Sequence, residues 1–569
     1  MDIRRTILLM IFSFSLLMLW NNWQVHQGKA PLFGANPAAT AAKEAAAPAQ
    51  AGASSGVPST PVTPVAGATA AANATVPGNA PAAAAQTVSV KTDVLRLTFD
   101  LQGAQLVGAD LLMFPSSDDK SAPEVLLQRD KARTYVVQSG LTGAAAPEAP
   151  FPSHLAEFKL VSDALELTGD TLAVKFASEA GGVRLTKTFT LHRGSYAIDV
   201  DHHIENLSEQ PVSPFVYLQI TRDGFNPAAA SAAPSFFSGP AAFVGAALYS
   251  EQSKFEKVTF ADIEKHKANY IKQADNGWFA MVQHYFVSAW VPPQGKSRSY
   301  EVAELQKDLF AIRSLEPVGA INPGNNVTIN SKLWLGPQDQ RSLEALAPGL
   351  ELVVDYGMLT IIAKPLFALM TWLHGLLGNW GWTIIALTCL IKAAFYPLSA
   401  ASYRSMAKMK QVGPRMQVLK EKFGDDRQKL NAAMMEMYRT EKINPLGGCL
   451  PIVIQIPVFI SLYYVLLSSV ELRDAPWIFW VQDLATRDPY FILPAIMMGT
   501  MFLQMKLNPT PPDPVQAKVM MFMPLVFGGM MFFFPSGLVL YWCVNNILSI
   551  AQQWYITRKM AALAATPHR

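Results

Sequence analysis

Three regimes of apolar and polar positions follow one another along the chain. Near the start, an apolar run over residues 7–20 sits behind Arg4-Arg5 and ends in Trp20 and Trp23. Between about residues 91 and 345 the runs are short and alternate with period two. Examples are Val94-Leu95-Arg96-Leu97-Thr98-Phe99, Leu172-Ala173-Val174-Lys175-Phe176 and Thr186-Lys187-Thr188-Phe189-Thr190-Leu191. With turn clusters such as Leu167-Thr168-Gly169-Asp170, that pattern predicts antiparallel strands in a β-sandwich. After residue 356 charges become scarce. Residues 365–391, 446–470 and 519–557 carry no formal charge. Runs of that length predict membrane-spanning helices.

The pattern predicts six spans. The first is the run behind Arg4-Arg5, as an uncleaved anchor or a cleaved signal peptide; Gly28-Lys29-Ala30 is the nearest small-x-small site, and Pro31 follows it directly. The second is 380–397, the third 446–470 and the fourth 490–505. The stretch 519–557 is too long for one span and is broken by Pro535-Ser536-Gly537 into two. An interfacial amphipathic helix is expected before the second span, where Glu351, Asp355 and Lys364 mix with apolar residues. Spans 490–505 and 519–534 would each reach only about 24 Å as helix, against a hydrocarbon core of ~30 Å.

Charge orients this scheme. Residues 401–445 hold ten basic and five acidic side chains, net +5, which marks a cytoplasmic segment. Apolar residues at helical spacing and the turn Phe423-Gly424-Asp425 predict a hairpin of two amphipathic helices, with Asp425 capping the second. It is read either as a structural element on the membrane surface or as a docking element, with Arg404, Lys408, Lys410, Asp425 and Asp426 as its candidate residues. Both termini then fall in the cytoplasm and the β domain outside. The organisation expected is an anchor at 1–24, an Ala/Pro-rich linker at 28–90, a β-sandwich domain at 91–345, the interfacial helix and second span at 346–400, the hairpin at 401–445, four further spans at 446–557, and a cytoplasmic tail at 558–569.

Composition agrees. Half of the residues are hydrophobic and only 16% are charged, against about 25% in ordinary soluble domains. The net charge of +3 gives no field for nucleic acid. The three cysteines, Cys389, Cys449 and Cys543, lie in apolar stretches and offer neither a disulfide framework nor metal-ligand spacing. Asp201, His203 and Glu205 would share a strand face, as either a metal site or a solvated surface, while His202 falls with Val200 and Ile204. No phosphate-binding loop of the Gly-rich lysine type is present. Fifteen of the 23 methionines lie between Met406 and Met531, either as core fillers or as a surface suited to varied apolar partners.

Lys392 is the charge inside the second span. It lies roughly 8 Å from Pro397 along a helix, so it either snorkels or serves a polar cavity. Thr388 and Tyr396 stand at i−4 and i+4 from it, which would put all three on one helix face. Gln455, between Pro451 and Pro457, and Asn545 are further polar residues in uncharged stretches.

Several strings resemble the YidC family of membrane protein insertases. They are Trp380-Gly381-Trp382 through Tyr396-Pro397-Leu398, Ser405-Met406-Ala407-Lys408-Met409, Phe423-Gly424-Asp425-Asp426, Asn444-Pro445-Leu446-Gly447-Gly448-Cys449, Asp488-Pro489-Tyr490, and Phe534-Pro535-Ser536-Gly537-Leu538-Val539-Leu540-Tyr541-Trp542. The resemblance implies a bacterial inner-membrane insertase and chaperone of the Gram-negative type, with a periplasmic domain like a sugar-epimerase supersandwich. It implies a groove open to the cytoplasm and lipid, with one basic residue. That position is Lys392, where many members have arginine, so the charge is kept without the planar fork. Thr388 and Tyr541 or Trp542 match groove-lining and substrate-contacting positions, and Gln455 and Asn545 join them as candidates. Newly made membrane proteins, the Sec translocon, the ribosome and membrane lipids are the implied partners, with no cofactor, no metal and no catalysis. The short tail, Arg558 to Arg569, departs from the longer basic tails often found in the family. A solute or ion transporter using Lys392, Thr388, Gln455 and Asn545 is the rival reading. A membrane-anchored carbohydrate enzyme housed in 91–345 is a third.

Overall fold

A computed structural model describes residues 86–117, 119–146, 149–226, 243–424, 426–441, 450–507 and 514–565. The expected anchor, the linker up to residue 85, Asp425, the string 444–449 and the last four residues lie outside them. The chain divides into two compact units, one β-rich and running to Val354, the other helical and running from Asp355.

The β unit is built from two nine-stranded antiparallel sheets. Across the first, the strand order is Thr87–Lys91, Leu95–Asp100, Gln105–Pro115, Pro123–Arg129, Thr134–Thr142, Phe215–Asp223, Leu309–Pro317, Arg298–Gln306 and Gln273–Ala274. Across the second it is Lys254–Val258, Gly245–Ser250, Trp278–Val282, Phe286–Val291, Asn326–Pro337, Ala197–Asn206, Val183–His192, Thr171–Ala180 and Lys159–Leu160. Alternation along each strand decides what enters the core. In Val183–His192, Val183, Leu185, Lys187, Phe189 and Leu191 point inward and the threonines outward. In Ala197–Asn206, Ile198, Val200, His202 and Ile204 do so.

The expected boundary at 345 falls short of where the β unit ends. The helix Gln340–Leu346 and the 3-10 turn Leu350–Val353 pack Leu343, Leu350 and Val353 against Trp278 and Trp334. Trp278 and Trp290 are fully buried. An aromatic side chain of about 150–250 Å² removed from water contributes roughly 4–6 kcal/mol of transfer free energy. Gly277, at φ +93°, makes this packing possible, because a Cβ there would sit 1.8 Å from the Tyr249 carbonyl oxygen.

The helical unit contains Thr360–Leu377, Trp380–Ala394, Tyr396–Gln411, Gly413–Phe423, Arg427–Thr440, Leu450–Ser468, Ile492–Leu507, Pro514–Met531 and Ser536–Ala565. Ser536–Ala565 is its hub, packing against Trp380–Ala394, Tyr396–Gln411 and Ile492–Leu507. Gly378 ends the first helix in the left-handed conformation, and the Asn379 side chain caps the second by accepting from the Trp382 N–H at 3.2 Å.

Three local features differ from the sequence reading. The helix begun at Trp380 stops at Ala394 and the chain bends by 66° into the next helix. Pro397 causes this, since it lacks an N–H and its ring would strike the carbonyl one turn back; it sits instead in the first turn of the new helix. Among the described residues, the single helix long and apolar enough to cross a membrane alone is Thr360–Leu377; the bent pair qualifies only as a unit. Glu351 and Asp355 precede Thr360–Leu377, which leaves Lys364 as the charge on that helix, within the stretch expected to hold the interfacial helix. The helix Arg427–Thr440 is capped by Asp426, whose carboxylate accepts from the Lys429 N–H at 3.1 Å, one residue beyond the expected Asp425. Gly424 ends the preceding helix with φ −46°, so no left-handed glycine is used there.

Candidate polar groove

Four helices of the helical unit bring polar side chains together, Tyr396–Gln411 supplying Ser399. Trp380–Ala394 contributes Lys392, 8% exposed. Ser536–Ala565 contributes Asn545 and Ser549, one turn apart, and Leu450–Ser468 contributes Gln455. The Lys392 Nζ donates to the Ser549 hydroxyl at 2.6 Å, and that hydroxyl donates to the Asn545 backbone carbonyl at 2.7 Å. The Gln455 Nε2 donates to the Asn545 Oδ1 at 2.5 Å. A small cleft lies beside this chain of bonds, lined by Lys392, Ser399, Gln455 and Asn545 with Ile391, Phe395, Leu398 and Val458.

The electrostatics are simple. An ammonium has three donors; Lys392 uses one on a neutral hydroxyl, and among the described residues no carboxylate pairs with it. A charge so placed has lost much of its hydration without gaining a counter-ion. It is therefore ready to bind an acceptor that enters the cleft, a carboxylate most strongly.

Lys392, Gln455 and Asn545 thus meet at one cleft. Thr388 is buried on the same helix, but its hydroxyl donates to its own Ile384 carbonyl at 2.7 Å and is not on the cleft wall. Tyr541 and Trp542 are also off that wall. Tyr541 is buried with its ring 6.3 Å from Phe459, and Trp542 meets Phe459 edge-on at 4.4 Å and Phe527 at 4.9 Å. Tyr396 leaves the Lys392 face altogether, because the break at Phe395 ends the helical spacing; it is 41% exposed. Ser399 and Ser549 escaped the sequence reading. For Ser549 the signal was the polar series Asn545, Asn546, Ser549, Gln552 and Gln553 at helical spacing inside an uncharged stretch.

In the hairpin, Arg404 and Lys408 are exposed. Arg415 pairs with Glu441 at 2.7 Å and the Tyr438 hydroxyl donates to the Met416 sulfur at 3.3 Å, which ties its two arms together. The Lys410 side chain and Asp425 lie outside the described residues.

A second polar cluster lies between the sheets of the β unit. Lys187 is completely buried; its Nζ donates to the carbonyls of Gly103 at 2.6 Å and Ser139 at 2.7 Å and lies 4.7 Å from the Phe158 ring centre. Beside it a His202 ring nitrogen bonds the Ser139 hydroxyl at 2.8 Å, and a His154 ring nitrogen bonds the Tyr217 hydroxyl at 2.6 Å. Burial pulls Lys187 down to about 7. Burial, then the Lys187 charge, holds His202 near 3, and burial, then Lys187 and Arg313, holds His154 near 4. On the outer face, Asp201 accepts from Asn330 at 2.6 Å, His203 bonds Thr328 at 2.9 Å and Glu205 pairs with Arg184 at 2.8 Å. Among the described residues no three metal-ligating side chains gather.

Protein-family models match most of the chain. One described as the YidC periplasmic domain covers residues 87–369, and one described as a 60Kd inner membrane protein covers 372–563. The chain is 65% identical over 561 residues to the membrane protein insertase YidC of Bordetella petrii, covering 98% of each. It is 51% identical over 564 residues to that of Paraburkholderia phymatum, covering 98% of this chain and 99% of the relative. Among solved structures it is similar to a crystal structure of active YidC insertase with the first transmembrane domain resolved, at 17% identity and a TM-score of 0.38, covering 83% of this chain and 93% of that one. With two family models side by side and relatives matched along almost their whole length, the chain belongs to the YidC family of membrane protein insertases.

Proposed function

We propose that this protein inserts newly made proteins into the bacterial inner membrane and assists their folding there, alone or beside the Sec translocon. The single supporting observation is the Lys392 ammonium, held among the described residues by a neutral hydroxyl at the side of a polar cleft. In this reading the chain has six spans, both termini in the cytoplasm and the β unit in the periplasm, and the cleft opens to the cytoplasm and to lipid. The hydrophilic flank of an incoming chain enters the cleft without leaving water. Lys392 attracts its acidic groups for a time, while Gln455 and Asn545 offer amides to its backbone. Thr388, Tyr541 and Trp542 act from behind, packing the helices that carry the cleft. Arg404, Lys408, Lys410, Asp425 and Asp426 form the face that meets substrate or ribosome.

No nucleotide or cofactor drives the step. Burying the apolar stretch of the substrate releases roughly 25 cal/mol per Å², and the membrane potential adds about 2.3 kcal/mol per charge per 100 mV in moving acidic flanks outward. The helix Ile492–Leu507, 16 residues long, reaches about 24 Å, so the bilayer beside it thins and the remaining barrier shortens.

The test is protease-protected insertion of a short single-span protein with an acidic flank into liposomes holding the full-length protein. Wild type inserts it and Lys392→Ala inserts less. No insertion above empty liposomes, together with solute flux in the absence of substrate protein, would instead support a transporter.

A further inference from the structure

The segment joining Leu450–Ser468 to Ile492–Leu507 displays aromatic side chains in a way that nothing in the groove requires. Residues 475–482, Ala-Pro-Trp-Ile-Phe-Trp-Val-Gln, carry no charge and lie between Asp474 and Asp483. They form a closed turn. The Trp477 N–H donates to the Val481 carbonyl at 2.9 Å, the Leu484 N–H to the Ala475 carbonyl at 3.1 Å, and the Gln482 side-chain amide to the Phe479 carbonyl at 2.7 Å. At the apex Phe479 is 81% exposed and takes φ +51°, a left-handed conformation that bulky side chains rarely adopt. The ring of Trp480 stacks beside it at 6.1 Å. At the other end of the segment Tyr490 is 68% exposed, and Phe491, again with positive φ, is 40% exposed. A pinned turn that holds a phenylalanine outward matches an apolar surrounding better than water.

We infer that this turn is a lipid anchor seated in the outer headgroup layer, and that it fixes the depth of the groove helix. This rests on the proposed reading that the apolar helices span the membrane. Lipid is the occupant because the turn is continuous with two apolar helices and emerges at the level of their ends. There, aromatic residues with one apolar and one polar side are the usual interfacial anchors. Trp382, half exposed, meets Trp477 edge-on at 5.9 Å and extends the same rim.

The turn is also fastened to the helix that carries Lys392. Trp477 packs against Gly381, where a Cβ would come within 2.1 Å of its ring, and the Asn379 amide donates to the Pro476 carbonyl at 3.0 Å. Lys392 is eleven residues beyond Gly381, about 16 Å along a helix axis. Anchoring the turn at the outer interface therefore sets the ammonium about halfway through a ~30 Å hydrocarbon core.

The test is nitroxide depth measurement on the full chain in lipid nanodiscs, with Cys389, Cys449 and Cys543 replaced by alanine. Spin labels are placed singly at Phe479→Cys, at Leu390→Cys on the exposed side of the groove helix, and at Thr486→Cys on the exposed polar side of the same segment. The expected result is a ratio of oxygen to nickel-complex collisions highest at 390, intermediate at 479 and severalfold lower at 486. A label at 479 that matches 486 while 390 stays deep overturns the anchor and leaves the spanning helices standing. A label at 479 that neither reagent reaches places the turn against protein and also overturns it. A water-like label at 390 removes the spanning reading, and the anchor with it.

Discussion

Lys187 makes the stability of the β unit depend on alkaline pH, where few proteins change. Its ammonium is sealed between the sheets, bonded to two carbonyls and, among the described residues, to no carboxylate. Burial lowers it to about 7 in the fold, against about 10.4 in an unfolded chain. Between those values the unfolded state holds the extra proton, so stability rises with pH. The slope approaches 1.4 kcal/mol per pH unit, and the gain from pH 7 to pH 9 is about 2 kcal/mol. Below pH 7 both states are protonated and the full penalty of the buried charge remains. The assay is urea unfolding of residues 86–354, followed by fluorescence of the buried Trp278 and Trp290, for wild type and Lys187→Met at both pH values. The variant strips the Gly103 and Ser139 carbonyls of their donor, so its absolute stability is not the readout; the difference in pH slope is. His154 and His202, held near 4 and 3, add only about 0.2 kcal/mol each in this window. Parallel curves for the two proteins would refute the reasoning, because they would mean that Lys187 carries the same charge in both states.

The same histidines act on the acid side. Their pKa values are depressed in the fold, so the unfolded chain takes up protons first, and unfolding free energy should fall as pH drops from 6.5 towards 4; a fluorescence acid titration in which His202→Gln removes part of the drop checks this. In the groove, Ser549→Ala leaves Lys392 without its hydroxyl, and insertion of an acidic-flank substrate should fall severalfold while Ser549→Thr restores it; equal insertion by all three would show that the bond does not position the ammonium. Gly381→Ala drives a Cβ into the Trp477 ring and should cost about 1–3 kcal/mol, read as a lower melting temperature in detergent, with Trp477→Leu in the same chain relieving it.

What the sequence disclosed followed from local spacing, and what it hid depended on distant contacts. Alternation in Val183–His192 puts Lys187 on the side of Phe189 and Leu191 without any structure, yet the carbonyls that receive its protons lie 84 and 48 positions away. The alternation tells which face the lysine takes, but nothing local tells what would satisfy it there. The groove shows the same division. Lys392, Gln455 and Asn545 stand out as polar residues in uncharged stretches, and the cleft collects them. Ser549 does not stand out, because a helical serine can satisfy itself on its own preceding turn, and this one does. Its second bond, to a lysine 157 positions away, exists only once Trp380–Ala394 has packed on Ser536–Ala565. Tyr396 shows the opposite error. Four-residue spacing places it beside Lys392 only in an unbroken helix, and the information that breaks the helix lies in the next residue, Pro397. Spacing rules therefore apply between breaks, and in this chain the proline decides that the cleft beside Lys392 is lined by Phe395 at the break and by Leu398 and Ser399 of the turned helix and not by the tyrosine.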